Sequence, residues 1–144
     1  MKDFAKYVDI SRALYRHDHP VRTFHTTFIV KKGKILSIGI NNPKTNPRTL
    51  KYDYKGQIGT HSELSALLRL GYEDCSDLVF VNIRLMRDLT VNNSKPCQGC
   101  NDMIKQLGYR EFYYSDSNGN FNILWKLKIN FVDFVLSVTV KSYI

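Results

Sequence analysis

Apolar side chains recur at three- and four-residue steps from Asp3 to Tyr15, at Phe4, Tyr7, Val8, Ile10, Leu14 and Tyr15. That spacing gathers them on one face of an α-helix, and Pro20 lies beyond its expected end. The pattern then changes. Phe24–Val30 is rich in β-branched and aromatic residues, Lys31-Lys32-Gly33-Lys34 is a turn signal, and Ile35–Ile40 resumes the strand pattern. These features predict a β-hairpin within Thr23–Asn41. Asn42–Gly59 is polar and irregular, with Pro43, Pro47, Gly56 and Gly59, and reads as a long loop.

A short helix is expected over Thr60–Leu70. Thr60 would be its N-cap, Glu63 would complete a capping box and Gly71 would stop it. Leu78–Leu85 reads as a buried strand, Met86–Lys95 as a polar stretch, and Cys97–Leu107 as a helix with Pro96 near its start and Gly108 at its end. Arg110–Tyr114 is a further strand, followed by a turn over Ser115–Asn120. In the tail, Phe121–Ile144, the alternation of Val132, Phe134, Leu136, Val138 and Val140 favours a strand, whereas Ile123, Leu124 and Leu127 fit either a helical turn or a strand. The order helix, hairpin, helix, strand, helix, strand predicts an α/β fold: a mixed sheet covered by helices on both faces.

Composition narrows the class. The chain has 144 residues, of which 43% are hydrophobic and 24% charged, enough to build one packed domain over 1–144 and to exclude disorder throughout. Three cysteines are too few for a disulfide scaffold. No secretory signal or membrane-length apolar run is visible, so the expected location is intracellular and cytoplasmic, with no membrane partner. The net charge of +8 favours a phosphate-bearing partner, although solubility alone would also account for it.

Two short motifs carry the chemistry. His61-Ser62-Glu63 opens the second helix and Pro96-Cys97-Gln98-Gly99-Cys100 opens the third. The Cys-x-x-Cys pair by itself admits a redox pair or part of a closed structural zinc site. Taken together, the motifs supply three ligands, His61, Cys97 and Cys100, and leave a tetrahedral zinc one open position. Glu63 shares the helix end with His61 and can serve as a proton carrier without ligating. Cys97 and Cys100 fall on one helix face near its positive end, which favours thiolate.

His-x-Glu followed by Pro-Cys-x-x-Cys, in this order of elements, resembles the zinc-dependent cytidine/deoxycytidylate deaminase-like superfamily. The resemblance covers roughly 23–114. It implies the three-layer α/β/α cytidine-deaminase-like fold, with a mixed five-stranded sheet opened by an antiparallel hairpin. It also implies Zn²⁺ as cofactor, held by His61, Cys97 and Cys100, with Glu63 as catalytic proton shuttle in hydrolytic removal of ammonia from a nucleobase. Gly39-Ile40-Asn41 looks like the family's Gly-x-Asn, which makes Asn41 a candidate substrate contact. The backbone N–H groups of Ser62 and Cys97 are further candidates, as is Lys95, which stands beside the Pro-Cys pair.

Residues that separate branches of the family depart from their patterns: Ser65 stands two residues after the Glu, and Asn93-Ser94-Lys95 precedes the Pro-Cys. The favoured substrate is cytosine in a free nucleotide or nucleoside. Bases in single-stranded DNA or RNA are the alternative, supported by the net charge and by Lys44, Arg48, Lys51 and Lys55 ahead of the zinc helix. A catalytically silent zinc domain is a third reading, which the presence of Glu63 opposes. The family is often oligomeric, so a homo-oligomer is an expectation as well.

Outside the motifs, His25 is expected in the core or pocket wall, His17 and His19 at the C-terminal dipole of the first helix, and Cys75 as a free thiol. Phe112, Tyr113 and Tyr114 are expected in the core rather than as a platform for bases.

Overall fold

The computed structural model describes residues 3–47, 59–71 and 76–126. The elements are α1 (Ala5–Leu14), β1 (Phe24–Lys31), β2 (Lys34–Ile40), α2 (Ser62–Leu70), β3 (Val79–Leu85), β4 (Val91–Asn92), α3 (Gln98–Leu107), β5 (Glu111–Ser115) and β6 (Phe121–Lys126). The long strands lie in the order β2-β1-β3-β5-β6, and β4 pairs with β3. Among the described strands only β3 and β5 run parallel, joined through α3; the other pairs are antiparallel.

The period of two along the central strands sorts their side chains into two cores. Phe24, Phe28 and Val30 of β1, with Val81, Ile83 and Leu85 of β3, join Tyr7 of α1 in one buried cluster. Ile29 and Phe80 face the other way, into a cluster with Leu64, Ala66 and Leu67 of α2 and Met103 and Ile104 of α3. The sheet is therefore a middle layer between α1 and the pair α2 and α3. This is the expected three-layer mixed α/β architecture.

Among the described residues the sheet has six strands rather than five. The additional strand, β4, is two residues long and lies within the stretch read as merely polar. It pairs with Arg84 and Leu85, beyond the part of β3 that β5 covers. The strand that follows the 115–120 turn is β6, antiparallel to β5. The apolar alternation at 132–140 and Cys75 lie outside the described residues.

The start of α2 also differs from expectation. Its N-cap is His61, which makes no capping hydrogen bond with its side chain. Thr60 is diverted into a bridge with Asn42, and its Oγ1 donates to the Lys44 carbonyl at 2.6 Å. Glu63 is diverted as well, toward β3. A capping box needs both side chains folded back on the helix start, and here both have other partners.

Phe112 and Tyr113 are buried and Tyr114 packs against the core, as expected for the aromatic run. His17 and His19 lie past the end of α1, whose last turn carries Arg12 as its basic residue. Their rings instead meet Tyr15 and Phe24 edge-on, at 5.1 and 5.0 Å between centroids.

Candidate metal centre and its pocket

The N-termini of α2 and α3 converge above one face of the sheet. His61 and Cys97 are the N-caps of the two helices, and Cys100 is in the first turn of α3. A helix start fixes its first residues tightly, so two such starts define a small rigid volume. The Cys97 and Cys100 sulfurs lie 3.4 and 3.5 Å from His61 Nδ1. The three ligand atoms all lie within 4.8 Å of one another.

These distances fit zinc. Bonds of about 2.3 Å to sulfur and about 2.0 Å to nitrogen at a tetrahedral angle place S and N about 3.5 Å apart. The donor chemistry fits too. The Cys97 thiol is pushed down to about 4, chiefly by hydrogen bonding from Cys100, with His61 also contributing against the opposing effect of burial. His61 is raised, first by its hydrogen bond with Cys97. A thiolate held against an imidazole is the electrostatic arrangement that a divalent cation would replace.

Glu63 is not part of this cluster. It is buried, yet it lines the same cavity of about 420 Å³ as His61 and Cys97. Its carboxylate is fixed from below: Asn82 Nδ2 donates to Oε1 at 2.6 Å and Ser62 Oγ to Oε2 at 3.3 Å. Thr27 Oγ1 lies 2.5 Å from Asn82 Oδ1 and 2.8 Å from Ser62 Oγ. Asn82 Nδ2 also reaches the Ser94 carbonyl at 3.3 Å, and Ser94 Oγ donates to the Asn82 carbonyl at 2.8 Å. A buried polar network like this is costly unless its members find partners. It runs from the sheet to one carboxylate at the pocket wall.

The structure brings Asn41, Ser62 and Lys95 to this cavity as well. Asn41 is buried and its amide is spent on the protein: Oδ1 accepts from the His25 N–H at 3.0 Å, and Nδ2 donates to the Thr23 carbonyl at 2.8 Å. It ties β1 to the pocket rim. Ser62 is buried and belongs to the Thr27–Asn82 network. Lys95 is exposed at the mouth. His25 is a pocket-wall residue, as expected. Burial first, then the charges of Arg84, His61 and His19, push it down to about 4, so it is neutral near pH 7. Of the basic loop residues, Lys44 is described and Arg48, Lys51 and Lys55 are not.

The positioning roles of three residues were not read from sequence. Thr27 and Asn82 share the strand face that carries Ile29 and Phe80, and a polar residue amid an apolar strand was the available signal. Gly39 is the third. A Cβ there would collide with the Ser62 carbonyl oxygen and the Ala66 amide nitrogen, so only glycine lets α2 lie this close to β2.

No family model matches the chain, and no curated protein matches it in sequence. Solved structures do match in three dimensions. The apo dCMP deaminase of the cyanophage S-TIM5 is 21% identical, with a TM-score of 0.51 over 81% of this chain and 86% of that one. The same phage enzyme in complex with dCMP and dUMP is 20% identical, with a TM-score of 0.50 over 81% and 85%. Cytidine deaminase from Burkholderia pseudomallei is 16% identical, with a TM-score of 0.53 over 85% and 91%. The chain therefore has the fold seen in these deaminases.

Proposed function

We propose that this protein catalyses zinc-dependent hydrolytic deamination of a nucleobase, cytosine carried on a nucleotide, with release of ammonia. One observation carries the reading. A cluster of three metal-ligand atoms, two of whose residues, His61 and Cys97, line one nucleoside-sized cavity, stands beside a separate, hydrogen-bonded carboxylate on the same wall. A structural zinc site is closed by four protein ligands; among the described residues this one offers three and opens on a pocket.

His61, Cys97 and Cys100 would hold the zinc. When bound, the metal supplies a Lewis acid that makes water nucleophilic near neutral pH. Glu63 accepts the proton of the attacking water and passes it to the ring nitrogen next to the amino-bearing carbon. It then helps the amino group leave as ammonia, so that cytosine and water become uracil and ammonia. Asn82 and Ser62 keep the carboxylate pointed into the pocket during both transfers. Proton shuttling of this kind is worth about 10²–10⁴-fold in rate. Neutral His25 lines the wall without adding charge near the base.

The choice of cytosine is supported by the fold neighbours, a dCMP deaminase and a cytidine deaminase. The test is a mass-spectrometric screen of the zinc-loaded protein against cytidine, dCMP, dCTP, adenosine, guanine and short single strands. Turnover of cytosine-bearing members supports the reading. A zinc-loaded protein that converts none of them overturns it.

A further inference from the structure

A second, larger cavity of about 750 Å³ adjoins the base pocket. Four arginines line it: Arg16 and Arg22 from the connection between α1 and β1, and Arg84 and Arg87 from the end of β3 and beyond. No carboxylate among the described residues does. Asp18 pairs with Arg16 at 3.4 Å at the exposed rim, and the Asp88 carboxylate is taken up by Thr90. Arg84 Nε is buried and has no hydrogen-bond partner among the described residues. An unsatisfied guanidinium N–H is costly inside a protein and is what an anionic oxygen would satisfy.

The two cavities are joined. Val21 and Thr23 line both. His25, in the base pocket, stands opposite Arg84 in the β1–β3 register. His19, in the arginine cleft, lies 3.1 Å through Nε2 from Oδ1 of Asn41 in the base pocket. A molecule with its base against Glu63 therefore has the arginine cleft as one way out.

We infer that this cleft binds the phosphodiester backbone of single-stranded nucleic acid whose target base occupies the pocket. The inference rests on the deaminase reading for the base and deepens it by naming the substrate class. A single terminal phosphate carries about two negative charges, fewer than the four guanidinium groups that line the cleft. Successive phosphodiesters match both the charge and the larger volume, and a base inside a strand needs such a positive track.

The experiment is fluorescence anisotropy of an end-labelled, cytosine-containing single strand of about 12 nucleotides on the full chain, over a salt series. Ammonia release from the same strand and from dCMP is followed in parallel. Binding should weaken steeply with salt, with a logarithmic slope of about −0.7 per neutralised phosphate. Arg22→Glu with Arg87→Glu should weaken it at least about tenfold and flatten that slope. Lys32→Glu with Lys34→Glu makes the same change in net charge at the far end of the hairpin and should change affinity less than about twofold. All four positions are exposed, so the fold is expected to survive, and thermal melting verifies this.

Equal losses in the two double variants would overturn the inference, because binding would then follow net charge alone. It would also be overturned if dCMP displaced the strand at equal affinity and lost as much in the arginine variant, which would mark a site for one terminal phosphate. Cleft-dependent strand binding without ammonia from any substrate would retain the cleft and remove the deaminase reading. Turnover of dCMP with strand binding indifferent to the arginines would do the reverse.

Discussion

Asn82 Nδ2 donates a hydrogen bond to Glu63 Oε1 at 2.6 Å, joining the centre of β3 to the second residue of α2 beneath the pocket. Both residues are buried. The contact leaves one carboxylate edge held while the rest of the group lines the cavity.

Replacing Asn82 by alanine removes that donor and leaves Thr27 Oγ1 short of a partner. The proposed function then predicts a fall in kcat of about 5- to 150-fold, the equivalent of about 1–3 kcal/mol for a lost buried hydrogen bond. KM and zinc content should change little, because neither the ligands nor the pocket mouth is touched. Steady-state kinetics with parallel metal analysis tests this. A change confined to KM would contradict the positioning role.

Gly39→Ala places a methyl group against the backbone of α2 at Ser62 and Ala66. Neither contact is a flexible side-chain tip, so the helix must shift. The expected cost is about 1–3 kcal/mol, with weaker zinc binding because His61 caps the displaced helix. Thermal melting with and without zinc separates the two effects. An unchanged melting temperature would contradict the close packing.

The metal itself should stabilise the fold, since the three ligands come from two helix starts that zinc would join. Loading at about 1,000 times the dissociation constant stabilises by about 4 kcal/mol. Chelation should lower the melting temperature accordingly. Cys97→Ser and Cys100→Ser should each lose most of the bound zinc, read by metal analysis of the purified chains.

His25 makes the zinc-free fold sensitive to acid. Its folded value of about 4 lies below the ordinary value near 6.5. The unfolded chain therefore takes up the proton first as pH falls. The stability that neutral His25 provides is fully present above about pH 6.5 and is lost as pH falls toward about 4, by an amount on the order of 2–3 kcal/mol. Urea titrations across that range should show a shallower pH dependence for His25→Gln than for the natural chain. Parallel curves would contradict a buried, neutral His25.

Much of this arrangement was legible in sequence because local rules dominate it. Helix periodicity found α1, Gly71 and Gly108 ended α2 and α3 as expected, and both are left-handed C-caps. The clustering of His61, Cys97 and Cys100 was legible because His-x-Glu and Cys-x-x-Cys are short-range patterns. What stayed hidden depends on distant pairing. Thr60 and Glu63 satisfy the capping-box rule locally, yet the Lys44 carbonyl and Asn82 claim their side chains. β4 owes its existence to Arg84 and Leu85, not to its own two residues. The arginine cleft draws on Arg16, Arg22, Arg84 and Arg87, which are scattered in the chain and meet only once β1 and β3 pair.

The most direct test of the central claim compares the natural chain with Glu63→Gln, both zinc-loaded, by ammonia release from cytosine-bearing substrates. The account predicts equal zinc content in the two proteins and a rate at least about 10²-fold lower in the variant. Full activity in Glu63→Gln, with zinc still bound, would contradict it.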